Sequence, residues 1–466
     1  MSNSSSKTQL PHVALFPSSG LGHLIVFVRL AASLVKQKFQ VTLITGYPLV
    51  SDAESKFLAH FLSAFPQVIS KDFHLLPHDP STAKSDSYKD PFFLQFEAIR
   101  RSSPLLSPLL SSLSPPLSAF ISDIFLSSTF IPITAHLHLP NYILFPSCAN
   151  MLSLAAYFPS LVNITEEINI PEEINIPGLS TKISKSWIPP LILDVTHPFA
   201  IQFLENGKKL VECNGILMNT FDSLETETLK ALNEGKVING FPPVIPIGPV
   251  LPCEFEKQVS SFTWLDDQPD GSVVYICFGS RTALSREQLR ELGDGLVKSE
   301  CRFLWILKDK KVDKEDVAEI DEVLGKGFVE SVKDKGLVIK GWVDQGGILS
   351  HRAVGGFVSH AGWNSVTEAI WHGVPILAWP QGGDQKMCAA VVRRFGLGLW
   401  VDSWDWNGGE LVKGEDIGKA IKELMGDENL KLQVTNTKEE ARKAVADGGS
   451  SQNNLLKLRK ELEICI

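Results

Sequence analysis

The sequence predicts an α/β protein with two halves, each of which alternates β-strands with α-helices around a parallel sheet. First, the apolar segment 12–16 is followed by a glycine-containing turn and a long apolar helix. Second, the same order of strand, turn and helix starts again at residue 272. Third, the proline-rich segment 244–252 between the halves has the composition of a domain linker.

Composition narrows the class of protein. The chain has 466 residues, enough for two domains, and its net charge of −9 argues against a nucleic-acid partner. No apolar run is long enough to span a membrane, and the polar N-terminus does not look like a signal peptide. The seven cysteines are scattered without a CxxC or a zinc spacing. We therefore expect a reduced, cytoplasmic, monomeric protein without a metal, whose partners are small molecules.

The first half reads as five strands and their helices before an irregular region, with a sixth strand after it. Predicted strands are 12–16, 41–45, 73–76, 119–122, 142–145 and 215–219, and predicted helices are 24–36, 54–64, 90–110, 200–211 and one from 222. Residues 160–200 are proline-rich and aperiodic, and their apolar content indicates a loop that covers a substrate.

One histidine and one aspartate follow strands of this first half. Gly20 and Gly22 suggest a dinucleotide-binding turn, but Ile25 stands where the third glycine should fall, which weakens a dehydrogenase interpretation. Instead His23 lies on the loop after the first strand, and Asp123 ends the fourth strand. Because carboxyl ends of parallel strands share one edge, these two side chains can meet. Histidine is the natural base near neutral pH, and a carboxylate can orient it.

The second half repeats the alternation. Predicted strands are 272–278, 303–307 and 336–340, the helix 285–299 begins at a capping box formed by Ser285 and Gln288, and 308–321 is a charged loop. Helices near 414–425, 430–446 and 450–463 carry mixed charges and are interpreted as structural.

The segment 341–385 carries the strongest functional pattern. It predicts a strand at 355–359, a turn at 360–362, a helix at 363–371, a strand at 375–378 and a loop that ends at Asp384 and Gln385. The N–H groups at the start of that helix favour an anion, and Gly362 lets a phosphate approach the backbone. Glu368 can accept from a sugar diol, and Trp342 offers a flat face to a base. The order of these groups predicts a nucleotide-sugar site.

This segment closely resembles the signature of plant secondary-product glycosyltransferases, which are inverting, UDP-sugar-dependent enzymes of the GT-B fold. The resemblance covers nearly the whole chain and implies two Rossmann-like domains that face each other across a cleft. It places the acceptor-binding domain at 1–247 and the UDP-sugar-binding domain at 248–449, with a final helix, about 450–466, that returns to the first domain.

The resemblance also implies roles in donor binding. Uracil stacks on Trp342 and is read by Val343; Gln345 and Glu368 hold the ribose; Asp384 and Gln385 hold the sugar. The implied diphosphate contacts come from the turn and the helix start, without a metal, and comprise Ser280, His360, Gly362, Trp363, Asn364 and Ser365. The resemblance also implies UDP-glucose as the donor, because Gln385 is the residue that glucose-using enzymes of this family carry at this position.

On the acceptor side, the resemblance assigns His23 as the general base and Asp123 as its partner. The alternative is a histidine that caps the adjacent helix and an aspartate that merely ends a strand. The acceptor cleft is expected to be lined by Gly22, Asp90, Phe92, Leu94, Ser147, Phe199 and Arg281.

The segments 90–92, 342–345 and 379–385 look like the plant subgroup that makes flavonoid C-glucosides. The chain departs from the common pattern at Val343 and Asp344, where Ala-Pro is usual, and at Ala361, where Cys is common. It also departs at Val26, where a Pro often appears. None of these removes a catalytic group. The leading prediction is a UDP-glucose-dependent C-glucosyltransferase acting on flavonoids. An O-glucosyltransferase of phenolics, a UDP-sugar hydrolase or epimerase, and a non-catalytic nucleotide binder remain alternatives.

Overall fold

A computed structural model of the protein describes residues 10–77, 91–162, 170–194, 196–252, 263–279, 281–308, 318–341, 343–404 and 410–464. The chain forms two compact units. The first comprises Met1–Ile183, Pro190–Val250 and Ala444–Ile466, and the second comprises Ser184–Pro189 and Leu251–Lys443. The assignment of an acceptor domain to 1–247 and a donor domain to 248–449 stays a prediction.

The first unit is built on a seven-stranded sheet with the order β3-β2-β1-β4-β5-β8-β9, whose paired strands run parallel. Its strands are β1 His12–Phe16, β2 Gln40–Tyr47, β3 Ile69–His74, β4 Ala119–Asp123, β5 Asn141–Phe145, β8 Gly215–Met218 and β9 Val244–Pro246. A separate two-stranded sheet pairs β6 Glu173–Ile174 with β7 Ile183–Ser184.

Helices connect these strands as the alternation predicts. They are α1 Leu21–Lys36, α2 Asp52–Ala64, α3 Pro91–Arg101, α4 Leu106–Ser111, α5 Ser127–His136, α6 Ala149–Leu161, α7 Pro190–Leu193, α8 Pro198–Lys209 and α9 Thr226–Asn233. The last helix of the chain, α19 (Ser450–Ile464), lies beside β9, where Asn454 Nδ2 donates to the carbonyl of Pro246 at 2.8 Å.

The second unit contains a six-stranded sheet with the order β12-β11-β10-β13-β14-β15, again parallel throughout its pairings. Its strands are β10 Val273–Cys277, β11 Arg302–Leu307, β12 Gly336–Lys340, β13 Val354–Ser359, β14 Ile376–Ala378 and β15 Gly398–Trp400. Its helices are α10 Thr263–Asp266, α11 Arg286–Ser299, α12 Ile320–Leu324, α13 Phe328–Val332, α14 Gln345–Ser350, α15 Trp363–His372, α16 Gln385–Arg394, α17 Gly414–Gly426 and α18 Glu428–Val445.

The predicted α/β class with parallel sheets is confirmed, but several boundaries differ. The expected linker 244–252 begins with β9, because an edge strand tolerates Pro246 and pairs with β8 through one side only. The single helix expected at 90–110 is two helices, with a 3₁₀ turn at Ser103–Leu105 between them. The helix expected from residue 222 begins at Thr226.

The capping box predicted at Ser285 is only half formed. Ser285 Oγ accepts from the Gln288 N–H at 3.1 Å, as predicted. The Gln288 side chain does not return to the N-cap, because its amide donates to the Val412 carbonyl at 2.9 Å and its oxygen accepts from the Val412 N–H at 3.0 Å. Tertiary pairing thus overrides the local motif.

Each sheet carries its own apolar core. In the first unit the rings of Phe16 and Phe130 lie 4.9 Å apart, edge to face, within one apolar core cluster. In the second unit Trp305 and Trp379 belong to a core that includes buried side chains of α11 and α17. In the described part of the chain, no helix has both the length and the hydropathy needed to cross a membrane.

Helices α11 and α17 pack at a close approach that only glycine permits. A Cβ added at Gly295 would stand 2.7 Å from Ile417 Cβ and 2.9 Å from the Gly414 carbonyl oxygen. At Gly426, near the end of α17, an added Cβ would meet no heavy atom of the described residues within 4 Å. The two glycines therefore form a matched pair within one unit.

We predict that Gly295→Ala destabilises the protein by about 1–3 kcal/mol, because overpacking outweighs the gain in helix propensity. Gly426→Ala should leave stability unchanged or slightly higher. Urea unfolding, monitored by circular dichroism, measures the free energy of unfolding of both variants and of the unsubstituted protein. Equal unfolding midpoints for the two would show that the helices separate without cost.

Candidate active site

The structure brings His23 and Asp123 together at the carboxyl edge of the first sheet. Strands β1 and β4 are neighbours, with Phe16 in register with Ser122, so the residues that follow them lie side by side. His23 Nδ1 lies 2.6 Å from Asp123 Oδ2. Asp123 is fully buried and its Oδ1 accepts from the Phe125 N–H at 2.9 Å, which fixes the carboxylate. A carboxylate accepts, so Nδ1 donates, and Nε2 keeps the lone pair that a general base needs.

Aromatic rings surround this pair. The ring centroid of His23 lies 5.2 Å from that of Phe125 and 6.2 Å from that of Phe92. Phe199 joins the group at 5.6 Å from Phe125 and 5.2 Å from Phe93. The structure therefore places two predicted acceptor residues, Phe92 and Phe199, around the histidine in an apolar surface suited to a flat aromatic molecule.

The position of His23 differs in detail from the prediction. It belongs to the first turn of α1 rather than to a loop, because α1 starts at Leu21 instead of near Leu24. Gly20 makes this early start possible, since its φ of 99° and ψ of 140° turn the chain directly from β1 into the helix. Gly22 is exposed, and a Cβ there would meet no described atom within 4 Å, which leaves open space beside the histidine.

The other predicted acceptor residues are less closely grouped. Ser147 is buried just after β5, at the same edge of the sheet as Asp123. Leu94 is half-buried on α3. Asp90 lies outside the described residues. Arg281 follows β10 in the second unit, where it is exposed.

In the second unit, the start of α15 has the features of an anion site. Gly362 is the N-cap and has no side chain with which to cap the first turn of the helix. Trp363 is buried, so a ligand at this turn would be bound by backbone N–H groups of the helix start rather than by the indole ring. Asn364 and Ser365 follow in this first turn, as predicted. Ala361 has a φ of 60°, which shapes the turn between β13 and α15.

His360 sits between two glycines that make room for it. A Cβ at Gly279 would lie 2.7 Å from His360 Cε1, and one at Gly362 would lie 2.6 Å from His360 Nε2. Burial lowers the pKa of His360 to about 4, so the imidazole is neutral at physiological pH. It can donate one hydrogen bond to a phosphate but adds no positive charge. The helix N–H groups therefore have to carry most of the predicted diphosphate recognition.

The two side chains that the sequence predicts to bind ribose, Gln345 and Glu368, are hydrogen-bonded to each other. Gln345 Nε2 donates to Glu368 Oε2 at 2.8 Å and lies 3.2 Å from Ser365 Oγ. Glu368 and Ser365 are buried on α15, and Gln345 is the first residue of α14. Asp344 caps α14 by accepting from the Gly347 N–H at 2.8 Å, which explains how aspartate replaces the usual proline here.

Asp384 and Gln385 begin α16 after β14, at the carboxyl edge of the second sheet. Gln385 Oε1 accepts from the N–H groups of Gln381 and Gly382, at 2.6 and 3.0 Å, and so holds the preceding turn. The buried Cys388 thiol donates to Asp384 Oδ2 at 3.6 Å. Val343 precedes α14 and is half-buried, while the predicted Ser280 and Trp342 lie outside the described residues.

Two features near these sites were not predicted from the sequence. Glu54 on α2 accepts from the N–H of Gly20, directly before the helix of His23. The segment Ser184–Pro189 belongs to the second unit, where Lys386 Nζ donates to the Ser186 carbonyl at 3.0 Å and the Trp187 ring lies 5.3 Å from Trp400. Part of the expected acceptor loop is therefore fastened beside Gln385. Ser51 and Glu54, three residues apart before an apolar run, were a sequence signal for a cap on α2 but not for the contact with Gly20.

The arrangement can support base-assisted transfer from a nucleotide sugar. The first unit offers an imidazole that is oriented by a carboxylate and lies among aromatic rings. The second unit offers the N–H groups of a helix start, the Glu368 carboxylate, which can accept hydrogen bonds from a diol, and the polar side chains of Asp384 and Gln385. In the described part of the chain, no three His, Cys, Asp or Glu side chains cluster as metal ligands would.

Comparisons with known proteins agree on one family. Residues 218–438 match the family described as UDP-glucoronosyl and UDP-glucosyl transferase. UDP-glycosyltransferase 708G2 of Citrus unshiu is 54% identical, over 98% of this chain and 98% of that relative. UDP-glycosyltransferase CGT of Oryza sativa subsp. indica is 48% identical, over 96% of this chain and 94% of the relative.

Solved structures give the same answer. LpCGTa in complex with UDP superposes with a TM-score of 0.86 at 46% identity, covering 97% of this chain and 99% of that one. TcCGT1 in complex with UDP superposes with a TM-score of 0.85 at 29% identity, covering 98% and 100%. The predicted GT-B fold is confirmed by these matches. The chain belongs to the plant UDP-glycosyltransferases of the inverting GT-B type, and it is a glycosyltransferase that uses a UDP-sugar donor.

Proposed function

We propose that this protein transfers glucose from UDP-glucose to a ring carbon of a flavonoid or related polyphenol and so makes a β-C-glucoside. The observation that carries the catalytic part is the 2.6 Å contact between His23 Nδ1 and Asp123 Oδ2 within the group of Phe92, Phe125 and Phe199. The acceptor is a small molecule, and the aromatic surface around the base favours a planar phenol. We expect the enzyme to act as a cytoplasmic monomer.

The proposed reaction starts with proton transfer from a phenolic hydroxyl to His23 Nε2. Asp123 stabilises the imidazolium that forms. In a phenol with hydroxyls meta to one another, the phenolate places negative charge on the ring carbons ortho and para to oxygen. One of these carbons attacks the anomeric carbon of the donor from the side opposite UDP. A carbon–carbon bond forms, the bond between the anomeric carbon and the phosphate oxygen breaks, and loss of the ring proton restores aromaticity.

We propose that residues of the second unit bind the donor. The diphosphate lies at the start of α15 with Ser280, His360, Gly362, Trp363, Asn364 and Ser365. Trp342 and Val343 hold uracil, Gln345 and Glu368 the ribose, and Asp384 and Gln385 the glucose. The exposed guanidinium of Arg281 is proposed to hold a phenolate or carbonyl oxygen of the acceptor.

Carbon transfer is favoured by the relatives rather than by any extra residue. The relatives designated CGT, from two subspecies of Oryza sativa, are 48% and 47% identical, whereas the anthocyanidin 5,3-O-glucosyltransferase of a Rosa hybrid cultivar is 33% identical. We interpret CGT as C-glycosyltransferase. The second candidate is O-glucosylation of the same phenols, because both reactions need the same base and donor site. Orientation of the acceptor decides which atom reacts.

We predict that the main product formed from UDP-glucose and a phloretin-like or 2-hydroxyflavanone acceptor survives hot acid and β-glucosidase. A C-glycosidic bond lacks the oxygen that acid must protonate. The product is recovered by chromatography and mass spectrometry, with an authentic phenolic O-glucoside treated in parallel as the control. Release of free glucose from the main product would establish the O-glucosyl alternative instead.

UDP-glucose is predicted to give a higher kcat/KM than UDP-galactose or UDP-glucuronic acid. The reason is that Gln385 is the residue which glucose-using enzymes of this family carry at this position. Its side-chain oxygen is held by the N–H groups of Gln381 and Gly382. Initial rates of UDP release with one acceptor at a fixed concentration measure the preference. A larger kcat/KM with either other donor contradicts the glucose assignment.

His23→Ala is predicted to lower kcat by ~10²–10⁴-fold, the usual effect of removing a general base. The Kd of UDP should stay nearly unchanged, because the residues proposed to hold UDP belong to the second unit. Calorimetry measures UDP binding, and acceptor-dependent UDP release measures kcat. His60→Ala, which removes an exposed histidine from α2, is the matched control. Near-normal turnover of His23→Ala would remove His23 from the mechanism.

A further inference from the structure

We propose that Glu54 is a positioning residue that fixes the catalytic helix start and thereby sets the location of the His23 ring. The proposal rests on the proposed role of His23 as general base. Glu54 lies on α2, far from the donor residues in sequence, and its carboxylate accepts from the backbone N–H groups of Gly20, Val50 and Ser51. Its effect on catalysis would pass through the backbone of Gly20.

Glu54 uses its two carboxylate oxygens for different elements. It is the third residue of α2 and completes a capping box, in which Ser51 Oγ accepts from the Glu54 N–H and Glu54 Oε2 accepts from the Ser51 N–H at 3.2 Å. Oε2 also accepts from the Val50 N–H at 3.0 Å. Oε1 leaves this helix and accepts from the Gly20 N–H at 2.6 Å, 34 residues earlier in the chain. A motif that normally serves one helix therefore connects two.

The Gly20 end of this connection determines where α1 begins. Gly20 is the N-cap of α1 and has no side chain with which to cap it. Its carbonyl accepts from the N–H groups of His23 and Leu24, at 3.1 and 3.0 Å. Glu54 thus holds the N–H of the residue whose carbonyl holds His23. A bond from a backbone N–H to an ionised carboxylate is of the stronger, charge-assisted kind.

The turn before Gly20 has little other side-chain support. The hydroxyl groups of Ser18 and Ser19 are buried and find no hydrogen-bond partner among the described residues. They line a cavity of about 20 Å³ together with Glu54, Thr45 and Gln95. Glu54 is itself only 3% exposed, so its bonds to the backbone are shielded from water. The Gly20–Glu54 contact is therefore a buried side-chain bond that holds the end of this turn.

The competing explanation is that Glu54 only stabilises α2. Ser51 separates the two explanations, because it belongs to the same capping box while its hydrogen bonds among the described residues stay within α2. Loss of the Ser51 cap typically costs ~1 kcal/mol. Ser51→Ala therefore weakens α2 while it leaves the connection to the catalytic helix intact, and it serves as the matched control.

The test compares Glu54→Gln, Glu54→Asp and Ser51→Ala in the full-length enzyme at saturating UDP-glucose and acceptor. Gln keeps one acceptor oxygen and turns an amide towards backbone donors. Asp keeps the charge near the N-terminus of α2 but is too short to reach Gly20. We expect both Glu54 variants to lower kcat by ~10–10²-fold, because small misplacement of a catalytic group has this effect. The Kd of UDP should not change, and Ser51→Ala should keep kcat within about twofold of the unsubstituted enzyme.

The decisive measurement repeats Glu54→Asp in a His23→Ala background. If Glu54 acts through His23, the additional substitution leaves the residual rate of UDP release unchanged within about twofold, because coupled residues are not additive. A further loss equal to that in the unsubstituted enzyme overturns the proposal, as does a kcat loss in Ser51→Ala that matches the Glu54 variants. A normal kcat for Glu54→Asp also overturns it. The single variant His23→Ala distinguishes failure of this proposal from failure of the His23 assignment, because near-normal turnover of that variant contradicts only the assignment of His23 as the base.

Discussion

The hydrogen bond between His23 and Asp123 is the interaction on which the proposed chemistry of the first unit depends. It exists because β1 and β4 are adjacent parallel strands, so residues 100 positions apart emerge at one edge of the sheet. The complete burial of Asp123 keeps its carboxylate from being solvated and leaves it to the imidazole and the Phe125 N–H. The aromatic rings around the pair and the glycine at position 22 then define what can approach Nε2.

Much of this could be predicted because the alternation of strands and helices and the local spacing of polar residues can be read from the sequence. The alternation of apolar strands and amphipathic helices predicts both parallel sheets, and the spacing from His360 to Glu368 predicts a helix start after a strand. Gln345 and Ser365, both predicted to bind the donor, lie within hydrogen-bonding distance of each other in the structure. The combination of His23 with Asp123 required only the rule that reactive groups collect at carboxyl strand ends.

The features that were not predicted depend on tertiary contacts that have no local signature. Glu54 looks like an ordinary helix cap, and nothing in residues 51–54 shows that one of its oxygens reaches Gly20. Gln288 has the sequence of a capping residue, yet it pairs with Val412, 124 residues away. Trp187 lies in a region that reads as loop, and its packing against Trp400 follows from the position of β15. Side-chain oxygens and rings choose partners by space, which a one-dimensional pattern does not record.

The contact of Gln345 with Glu368 and Ser365 has a consequence for how a nucleotide enters the second unit. The Glu368 carboxylate accepts from the Gln345 amide at 2.8 Å, and the same amide donates to Ser365 Oγ at 3.2 Å. Under the proposed donor assignment, a ribose held by Gln345 and Glu368 has to share or replace the bond between them, so its net gain is smaller than the number of its new hydrogen bonds. The amide would then be a stand-in for the ligand, which keeps a buried carboxylate satisfied when no nucleotide is bound.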